Sequence, residues 1–355
     1  MIISLAFIFL FFNVLFIYSL VKHNPKSEIK NELKEISIVI AAKNEEENIP
    51  KLITSLVNQN YPKDKYEVII IDDNSTDNTL KLTEKIIKDF ANFNIFKVTE
   101  KKYAGKRGAL QFGIETAQYP NILITDADCE PNPNWIEEFA LKFEEGFDFI
   151  LGVAPYRQNK SLVNKIACYT NLRTHILTFS FANIGLPYSA AARSFGFKKE
   201  SFLKIKGYKN TTETLSGDDD LLLREAVNNN LKIGIVTEPN AFVFTEAKKT
   251  FSDYLKQKAR HTSTSNYYSF KIKFLLGFWH ILNLFFLISP LLMFVNISFG
   301  IFFLLKLFTD FITAKLLMNK FGYHFNITEI LYLQIIYELM LIVNYLKGTF
   351  GKEEW

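Results

Sequence analysis

The sequence predicts an α/β fold: a doubly wound sheet with transmembrane helices flanking it in the chain. Three observations predict it. Short apolar, β-rich runs at 36–42, 66–71 and 122–124 each end in an acid-rich turn and lead toward a segment with apolar residues at helical spacing. Two apolar blocks, 2–21 and 274–307, are each as long as the ~20 residues that a bilayer-spanning helix needs. The 355 residues, 48% hydrophobic, can bury a full α/β domain with apolar material left over at both ends.

Composition narrows the function classes. A formal charge of +4 is small for this length and argues against a nucleic-acid binder, which would carry a basic face or arm. The two cysteines, Cys129 and Cys168, give neither a disulfide framework nor zinc spacing, and so fit a reducing compartment. Cys129 reads as a small buried side chain beside two carboxylates.

Taken in order, residues 1–21 read as a retained N-terminal anchor. They lack the preceding basic residue and the small-residue cleavage site of a signal peptide. Lys22, His23, Lys26 and Lys30 follow, and this positive flank places the rest of the chain in the cytoplasm. A linker is expected at 22–35 and a cytoplasmic domain at 36–250. The strand at 36–42 runs into Lys43-Asn44-Glu45, and Ile49, Leu52, Ile53, Leu56 and Val57 mark the next helix, which ends at Asn60-Tyr61-Pro62. The second strand, 66–71, runs into Asp72-Asp73-Asn74-Ser75-Thr76-Asp77-Asn78-Thr79, where Asp77 or Asn78 can cap a helix over about 79–90. A third strand is expected at 94–98. This alternation predicts a parallel, right-handed sheet, and without Gly-x-Gly-x-x-Gly after the first strand it lacks a dinucleotide fingerprint.

Residues 101–108 (KKYAGKRG) precede a helix at 109–117. Gly105 and Gly108 let backbone approach a ligand, and Lys106 and Arg107 supply cations suited to a diphosphate; a solvated basic loop is an equally good reading. The stretch 119–130 (YPNILITDADCE) is the centre of the chain. Asp126 and Asp128 follow an apolar strand, and two carboxylates one residue apart repel unless a cation lies between them. A hard divalent ion shared with a substrate diphosphate is the natural occupant, although a bare Asp-x-Asp turn can also be merely solvated. A helix near 133–145 and a strand at 148–153 come next. Residues 161–181 read as an amphipathic helix able to lie along a membrane, and 185–197 as a small-residue, flexible surface that admits a substrate.

Gly217 introduces Asp218, Asp219 and Asp220 ahead of Leu221, Leu222 and Leu223. Three acids exceed what a helix cap needs, and their crowding should raise the pKa of at least one, as a general base or acid requires. Residues 251–273 read as an amphipathic, basic interface helix. The region 274–346 holds two to three C-terminal transmembrane helices. Within it, 274–307 with Pro290 in its middle reads as a tight pair of spans, with Lys306, Lys315 and Lys320 on its far side. The segment 328–346, carrying Glu329, Gln334 and Glu338, either spans or packs on the others, and 347–355 is a tail.

In this order the motifs resemble those of membrane-bound family 2 inverting glycosyltransferases, nucleotide-diphospho-sugar transferases of GT-A fold related to polysaccharide synthases. The resemblance covers roughly 36–262. Residues 40–48 (IAAKNEEEN) are similar to that family's first strand and acidic turn, which implies nucleotide contacts at Ala42 and Glu45, with Lys43 where an aromatic is common. Asp72-Asp73-Asn74-Ser75-Thr76-Asp77 resembles the second-strand motif, so Asp73 would read the base. Gly105-Lys106-Arg107-Gly108 resembles the glycine–lysine motif, giving Lys106 a nucleotide role. Asp126-Ala127-Asp128 resembles the Asp-x-Asp, with Asp126 toward the nucleotide and Asp128 on the metal. Gly217-Asp218-Asp219 resembles the catalytic acidic pair, with Asp219 as base. Gln257-Lys258-Ala259-Arg260-His261 partly matches Gln-x-x-Arg-Trp, placing Gln257 and Arg260 on the leaving diphosphate; His261 replaces the Trp that helps hold the acceptor end.

The resemblance implies a hexosyl- or N-acetylhexosaminyl-transferase using Mg²⁺ or Mn²⁺ and a nucleotide sugar of the uridine-diphosphate kind. Its acceptor would be a lipid-linked or growing glycan at the cytoplasmic (inner) membrane, and its product a polysaccharide or cell-envelope glycan. A rival keeps the fold and makes polyprenyl phosphate the acceptor. Two others are a non-catalytic nucleotide-sugar sensor, which would need neither the triple Asp nor the Gln257/Arg260 helix, and a transporter component. The last would need ionisable groups inside its spans, which by sequence only 328–346 supplies.

Overall fold

The computed structural model describes residues 2–22, 33–214 and 217–350. Most of the expected linker, residues 215 and 216 beside the acidic motif, and the tail from 351 onward lie outside them. In chain order the elements begin α1 (Ile2–Val21), β1 (Ile36–Ala42), α2 (Ile49–Val57), β2 (Tyr66–Asp72), α3 (Thr79–Ile87), β3 (Phe93–Lys97) and α4 (Lys106–Thr116). There follow β4 (Asn121–Ile124), β5 (Cys129–Pro131), α5 (Trp135–Glu144), β6 (Phe149–Gly152), α6 (Leu162–Asn183), β7 (Phe195–Lys198), α7 (Lys199–Lys204) and α8 (Asp218–Asn228). The last are β8 (Ile233–Val236), β9 (Val243–Thr245), α9 (Phe251–Ser263), α10 (Phe270–Ile288), α11 (Phe299–Leu317) and α12 (Ile327–Phe350).

Two compact units result. The α/β unit takes 25–155 and 189–246, and the helical unit takes 1–24, 156–188 and 247–355. Residues 156–188, expected inside one continuous 36–250 domain, therefore group with the helices.

The α/β unit is built on a seven-stranded sheet of order β3-β2-β1-β4-β7-β6-β8, with β5 and β9 forming a separate antiparallel pair. β1 and β2 are buried almost throughout, as the continuous apolar runs of a sheet covered on both faces require. The expected all-parallel sheet is corrected at one strand: β7 runs antiparallel between β4 and β6. This strand lies at the end of the stretch read as flexible surface. Its four residues, FGFK, are too short to announce a strand, yet Phe195, Gly196 and Phe197 are buried at its centre. On one face Phe197 stacks on Phe149 and Phe195 meets the same ring at a tilt. On the other, a Cβ at Gly196 would lie 2.7 Å from Leu123 and 2.8 Å from Phe139, so only glycine lets α5 close on the sheet. Trp135, fully buried, donates its indole N–H to Ser194 Oγ at 3.1 Å and fixes α5 to the approach of β7.

In the helical unit, three helices are long and apolar enough to cross a membrane: 4–21, 270–292 and 327–348. Large apolar side chains stay exposed on them, Phe7 at 69% and Ile281 at 69% among them, as faces turned to lipid would be. Phe9 stacks on Trp279 and Phe286, and Phe16 meets Trp279 edge-on, so α1 packs along α10 through aromatic contacts. The pair expected at 274–307 takes other bounds, with α10 starting at Phe270 and α11 running on to Leu317. Pro290 sits in a short 3-10 turn after α10, and the next helix begins only at Phe299.

That helix, α11, carries the largest departure from the sequence reading. Lys306, expected as a flank beyond a span, is 1% exposed. It donates to Asp310 Oδ2, Glu338 Oε1 and Asn283 Oδ1, each at 2.8 Å. Arg173 of α6 reaches the other oxygen of Asp310 at 3.0 Å. Ionisable groups therefore lie buried on α6 and α11 as well as on α12. A lone buried charge is prohibitively costly, but two cations and two anions at hydrogen-bond distance offset one another. The expectation that α6 is amphipathic fails for the same reason. Arg173, His175, Asn171 and Thr170 are buried along with its apolar residues, because other helices cover the face that sequence alone marks as polar.

Candidate active site

β1, β2 and β4 are adjacent and parallel, so their C-terminal ends open on one edge of the α/β unit. β1 is flanked by β2 on one side and β4 on the other. Such a point, where neighbouring strands connect in opposite directions, leaves a crevice suited to a ligand. The loops after these strands carry Ala42 to Glu45, Asp72 to Thr79, and Thr125 to Asp128.

The first two loops are stitched together by their own polar side chains. Asp73 N–H donates to Ala42 O at 2.7 Å, continuing the β1–β2 ladder one step past β2. Asn44 and Asn74 both adopt left-handed backbone (φ 56° and 58°), which asparagine tolerates better than most residues. Asn44 Oδ1 accepts from Thr76 N at 2.8 Å, and Glu46 Oε2 accepts from Asn78 N at 2.9 Å. Glu45 N donates to Thr79 Oγ1 at 2.7 Å. Asp77 rather than Asn78 caps α3, accepting from Thr79 N at 2.9 Å. The density of Asp, Asn, Ser and Thr here thus first serves to hold two loops rigid. Asp72 Oδ1, buried, has no partner among the described residues.

Asp73 is held by a residue the sequence reading passed over. Lys101 Nζ donates to both its carboxylate oxygens, at 2.6 and 2.9 Å, and to Gly105 O at 3.0 Å. The glycines of this loop act differently from one another. Gly105 takes φ +67° ahead of α4 with open space at its Cβ position, while a Cβ at Gly108 would stand 2.1 Å from Tyr103 O. Gly108 is therefore required by the loop's own tight turn rather than by approach to a ligand. The two cations also separate. Lys106 pairs with Asp126, whereas Arg107 is 4% exposed and donates Nη1–H to Thr214 O at 2.6 Å. Arg107, expected as a cation for a diphosphate, instead secures the chain that leads to Gly217.

Asp126, Asp128 and Cys129 bring one ligand atom each to within 4.8 Å of one another. Asp126 is half-buried, Asp128 exposed and Cys129 buried. Burial, then the Asp126 and Asp128 carboxylates, push the Cys129 thiol well up, so it remains a thiol. The usable donors are hard carboxylate oxygens, which fits a Mg²⁺- or Mn²⁺-type ion and not a thiolate-seeking metal.

Asp218 and Asp219 open α8, and the Asp219 carboxyl is strongly perturbed. Burial, then Asp220, then Asp218 push its pKa up to about 8, against hydrogen bonds from Ala192 N and Asp220 N at 2.8 and 2.9 Å. Crowding by like charge, the cause expected from sequence, is thus second to burial. Asp220 Oδ1 accepts from Ala190 N at 2.9 Å. The acids of α8 therefore tie down the 189–194 loop before β7, which sequence marked as free to move. That loop also places Arg193, whose charge acts on Cys129 and whose backbone O accepts from Thr125 Oγ1 at 2.8 Å. No spacing in the sequence signals Arg193; it arrives through the reversal of β7. Lys106 joins the two acidic groups. Burial draws its pKa down, but Asp126, Asp218 and Asp219 outweigh that and hold it firmly charged.

Of the residues expected in a site, Asp73, Lys106, Asp126, Asp128, Asp218 and Asp219 stand in the α/β unit with Ala42 and Glu45. Gln257 and Arg260 stand on α9 of the helical unit.

Comparison with known proteins identifies the family. Residues 37–199 match the sequence pattern of Glycosyl transferase family 2, and 121–345 match that of Glycosyl transferase family group 2. The second match spans more than half of the chain, and the chain belongs to the family 2 glycosyltransferases. Beta-monoglucosyldiacylglycerol synthase of Nostoc sp. is 39% identical over 31% of this chain and 23% of its own length. Undecaprenyl-phosphate 4-deoxy-4-formamido-L-arabinose transferase of Proteus mirabilis is 29% identical over 38% of this chain and 41% of its own. The chain thus spans only 23% and 41% of the length of these two curated relatives. Among solved structures, a mannosyltransferase from Pyrobaculum calidifontis, in complex with GDP-Man and Mn²⁺, superposes with a TM-score of 0.63 at 16% identity, covering 99% of each chain. At that identity the likeness speaks for the fold.

Proposed function

We propose that this glycosyltransferase moves a hexosyl or N-acetylhexosaminyl group, with inversion, from a nucleoside-diphosphate sugar to a hydroxyl of a membrane-associated acceptor. Our reading of the donor is UDP-linked, and of the acceptor a lipid-linked or growing glycan. The observation that carries it is the convergence of Lys106 with Asp126 on one side and Asp218 and Asp219 on the other. A cation for a leaving diphosphate and a carboxylate with a raised pKa are what a single displacement requires.

In this reading the nucleoside lies along Ala42, Glu45 and Asp73, where the buried Asp72 oxygen offers a further acceptor. Asp128, with Asp126, would hold the divalent ion. When bound, such an ion supplies positive charge to the diphosphate oxygens. Lys106 orients the diphosphate through its own charge, with Gln257 and Arg260 assigned to the same group by motif. Asp219, ionised, takes the proton of the acceptor hydroxyl as that oxygen attacks, and the hydrogen bonds from Ala192 N and Asp220 N aim its carboxylate. Asp218 adds to the local negative field. The apolar helices support a membrane protein, and we assign it to the cytoplasmic membrane, multi-pass with the catalytic residues on the cytoplasmic side, on the basic flank that follows residue 21.

A second reading makes the acceptor a polyprenyl phosphate, favoured by the named activity of the Proteus mirabilis relative. A phosphate oxygen needs no base. The test is transfer from a panel of nucleotide sugars in membranes, with Mg²⁺ or Mn²⁺ and with chelator, for wild type, Asp128→Ala and Asp219→Asn. Metal-dependent transfer lost in both variants supports the hydroxyl acceptor. Asp219→Asn at near-normal rate moves the assignment to the phosphate acceptor, and no turnover with any donor would overturn both.

A further inference from the structure

The segment 247–273, which the catalytic reading uses only at Gln257 and Arg260, is the most basic part of the chain. It holds seven Lys or Arg against a single Asp, a local excess larger than the formal +4 of all 355 residues. The one acid is already engaged: Thr250 Oγ1 donates to Asp253 Oδ2 at 2.7 Å and accepts from Asp253 N at 3.1 Å, closing the first turn of α9. Tyr254 and Leu255 are the buried side of the helix, while Lys248, Lys249, Lys256, Lys271 and Lys273 are exposed.

The apolar part of the segment is exposed as well. Phe270 is 82% and Phe274 62% accessible, and they alternate with Lys271 and Lys273 at the start of the 270–292 helix, which is apolar enough to span a membrane. Aromatic rings interleaved with lysines suit the boundary between acyl chains and headgroups, since a lysine stem can lie along apolar surface while its ammonium reaches out. A run of four to eight basic side chains next to a span attracts an anionic leaflet, each charge adding to the attraction. A zwitterionic surface offers no such gain.

From this we infer that residues 247–273 form a docking surface for anionic phospholipid headgroups, so that the protein gathers such lipids around itself. The inference concerns lysines outside the proposed catalytic machinery and stands whatever donor or acceptor is used.

The test uses the full-length protein in bilayers of equal parts phosphatidylglycerol and phosphatidylcholine with matched acyl chains. After gentle extraction, the lipid retained by each preparation is quantified by mass spectrometry. Wild type is expected to keep phosphatidylglycerol over phosphatidylcholine by about threefold or more, and the preference should shrink when extraction is done at ~0.5 M salt. The quintuple variant Lys248→Gln, Lys249→Gln, Lys256→Gln, Lys271→Gln, Lys273→Gln should keep both lipids nearly equally. The same five positions changed to Arg should retain the preference, which guards against misfolding of the Gln variant. Equal retention by wild type, or an unchanged preference in the Gln variant, overturns the inference. So does displacement of phosphatidylglycerol by millimolar inorganic phosphate, which would mark a site for free anions. Loss of UDP binding in the Gln variant with its lipid ratio unchanged would assign the lysines to the donor instead, and also overturns it.

Discussion

Lys306 and Glu338 meet at 2.8 Å within the helical unit, with side chains only 1% and 5% exposed. Lys306 and Arg173 also share Asp310, so loss of Lys306 would leave two anions with one cation. Breaking such a buried set by removing one member typically costs about 3–5 kcal/mol. Lys306→Met should therefore lower the unfolding temperature of the detergent-purified protein sharply. Adding Glu338→Gln should restore part of the loss by removing a stranded charge. An unchanged melting curve for Lys306→Met would show that the network contributes nothing.

Asp219 gives opposite pH signs for stability and for rate. Its carboxyl is pushed from 3.8 up to about 8, so the folded chain holds a proton that the unfolded chain has released. That contribution to stability is complete below about 4 and declines as pH rises toward 8. Acting as a base, the same group would make kcat/KM rise about tenfold per pH unit below its pKa and level off above it. Asp219→Asn should flatten the stability slope and, for a hydroxyl acceptor, remove the residual rate's acid limb. A wild-type rate independent of pH between 6 and 9, roughly the range bracketing that pKa, would contradict the assignment.

Arg107 offers a test of positioning. Its guanidinium is committed to Thr214 O at 2.6 Å, on the chain leading to Asp218. A hydrogen bond to a charged group contributes about 1.5–3 kcal/mol. Arg107→Met, similar in length but without donors, should lower kcat by about tenfold while donor KM changes little. A purely structural role would instead lower the melting temperature and leave kcat per folded molecule intact.

How far the sequence carries can be judged residue by residue. The strands at 36–42 and 66–71 are legible because they are buried on both faces, and runs rich in Ile and Val are what such strands require. The carboxylates at their ends are legible because a strand-to-turn boundary is local. What is not legible depends on partners distant in the chain. Lys101 meets Asp73 across 28 positions, and Lys306 meets Glu338 across 32. β7 lacks a local signal because its alternation is Phe-Gly-Phe, in which the glycine is dictated by Phe139 and Leu123 and not by flexibility. Arg107 beside Lys106 looks like a second phosphate cation until the fold turns it inward.

The same glycine supplies a further prediction. Gly196→Ala would set a methyl 2.7 Å from Leu123 and 2.8 Å from Phe139, neither at the end of a long flexible chain. Overpacking of this kind costs about 1–3 kcal/mol. The variant should melt several degrees lower, and Gly196→Ala combined with Phe139→Leu should recover part of the difference. Gly146, with open space at its Cβ position, would be a poor control because of its φ of +88°; Gly277, also open and free of that strain, is the suitable one.

The place of β7 in the chain also sets an order of events during synthesis. β4 and β6 have no strand between them until β7 arrives, and β7 follows β6 only after the whole of α6 has been made. At roughly 5–20 residues per second, the nascent sheet waits seconds with two unpaired strand edges in its middle. α6, a helix of the other unit, is thus present at the ribosome before the sheet can close. Assembly of the two units is interleaved in time, and a chain truncated before residue 195 would hold most of its strands yet leave β6 unjoined to the β3-β2-β1-β4 half of the sheet.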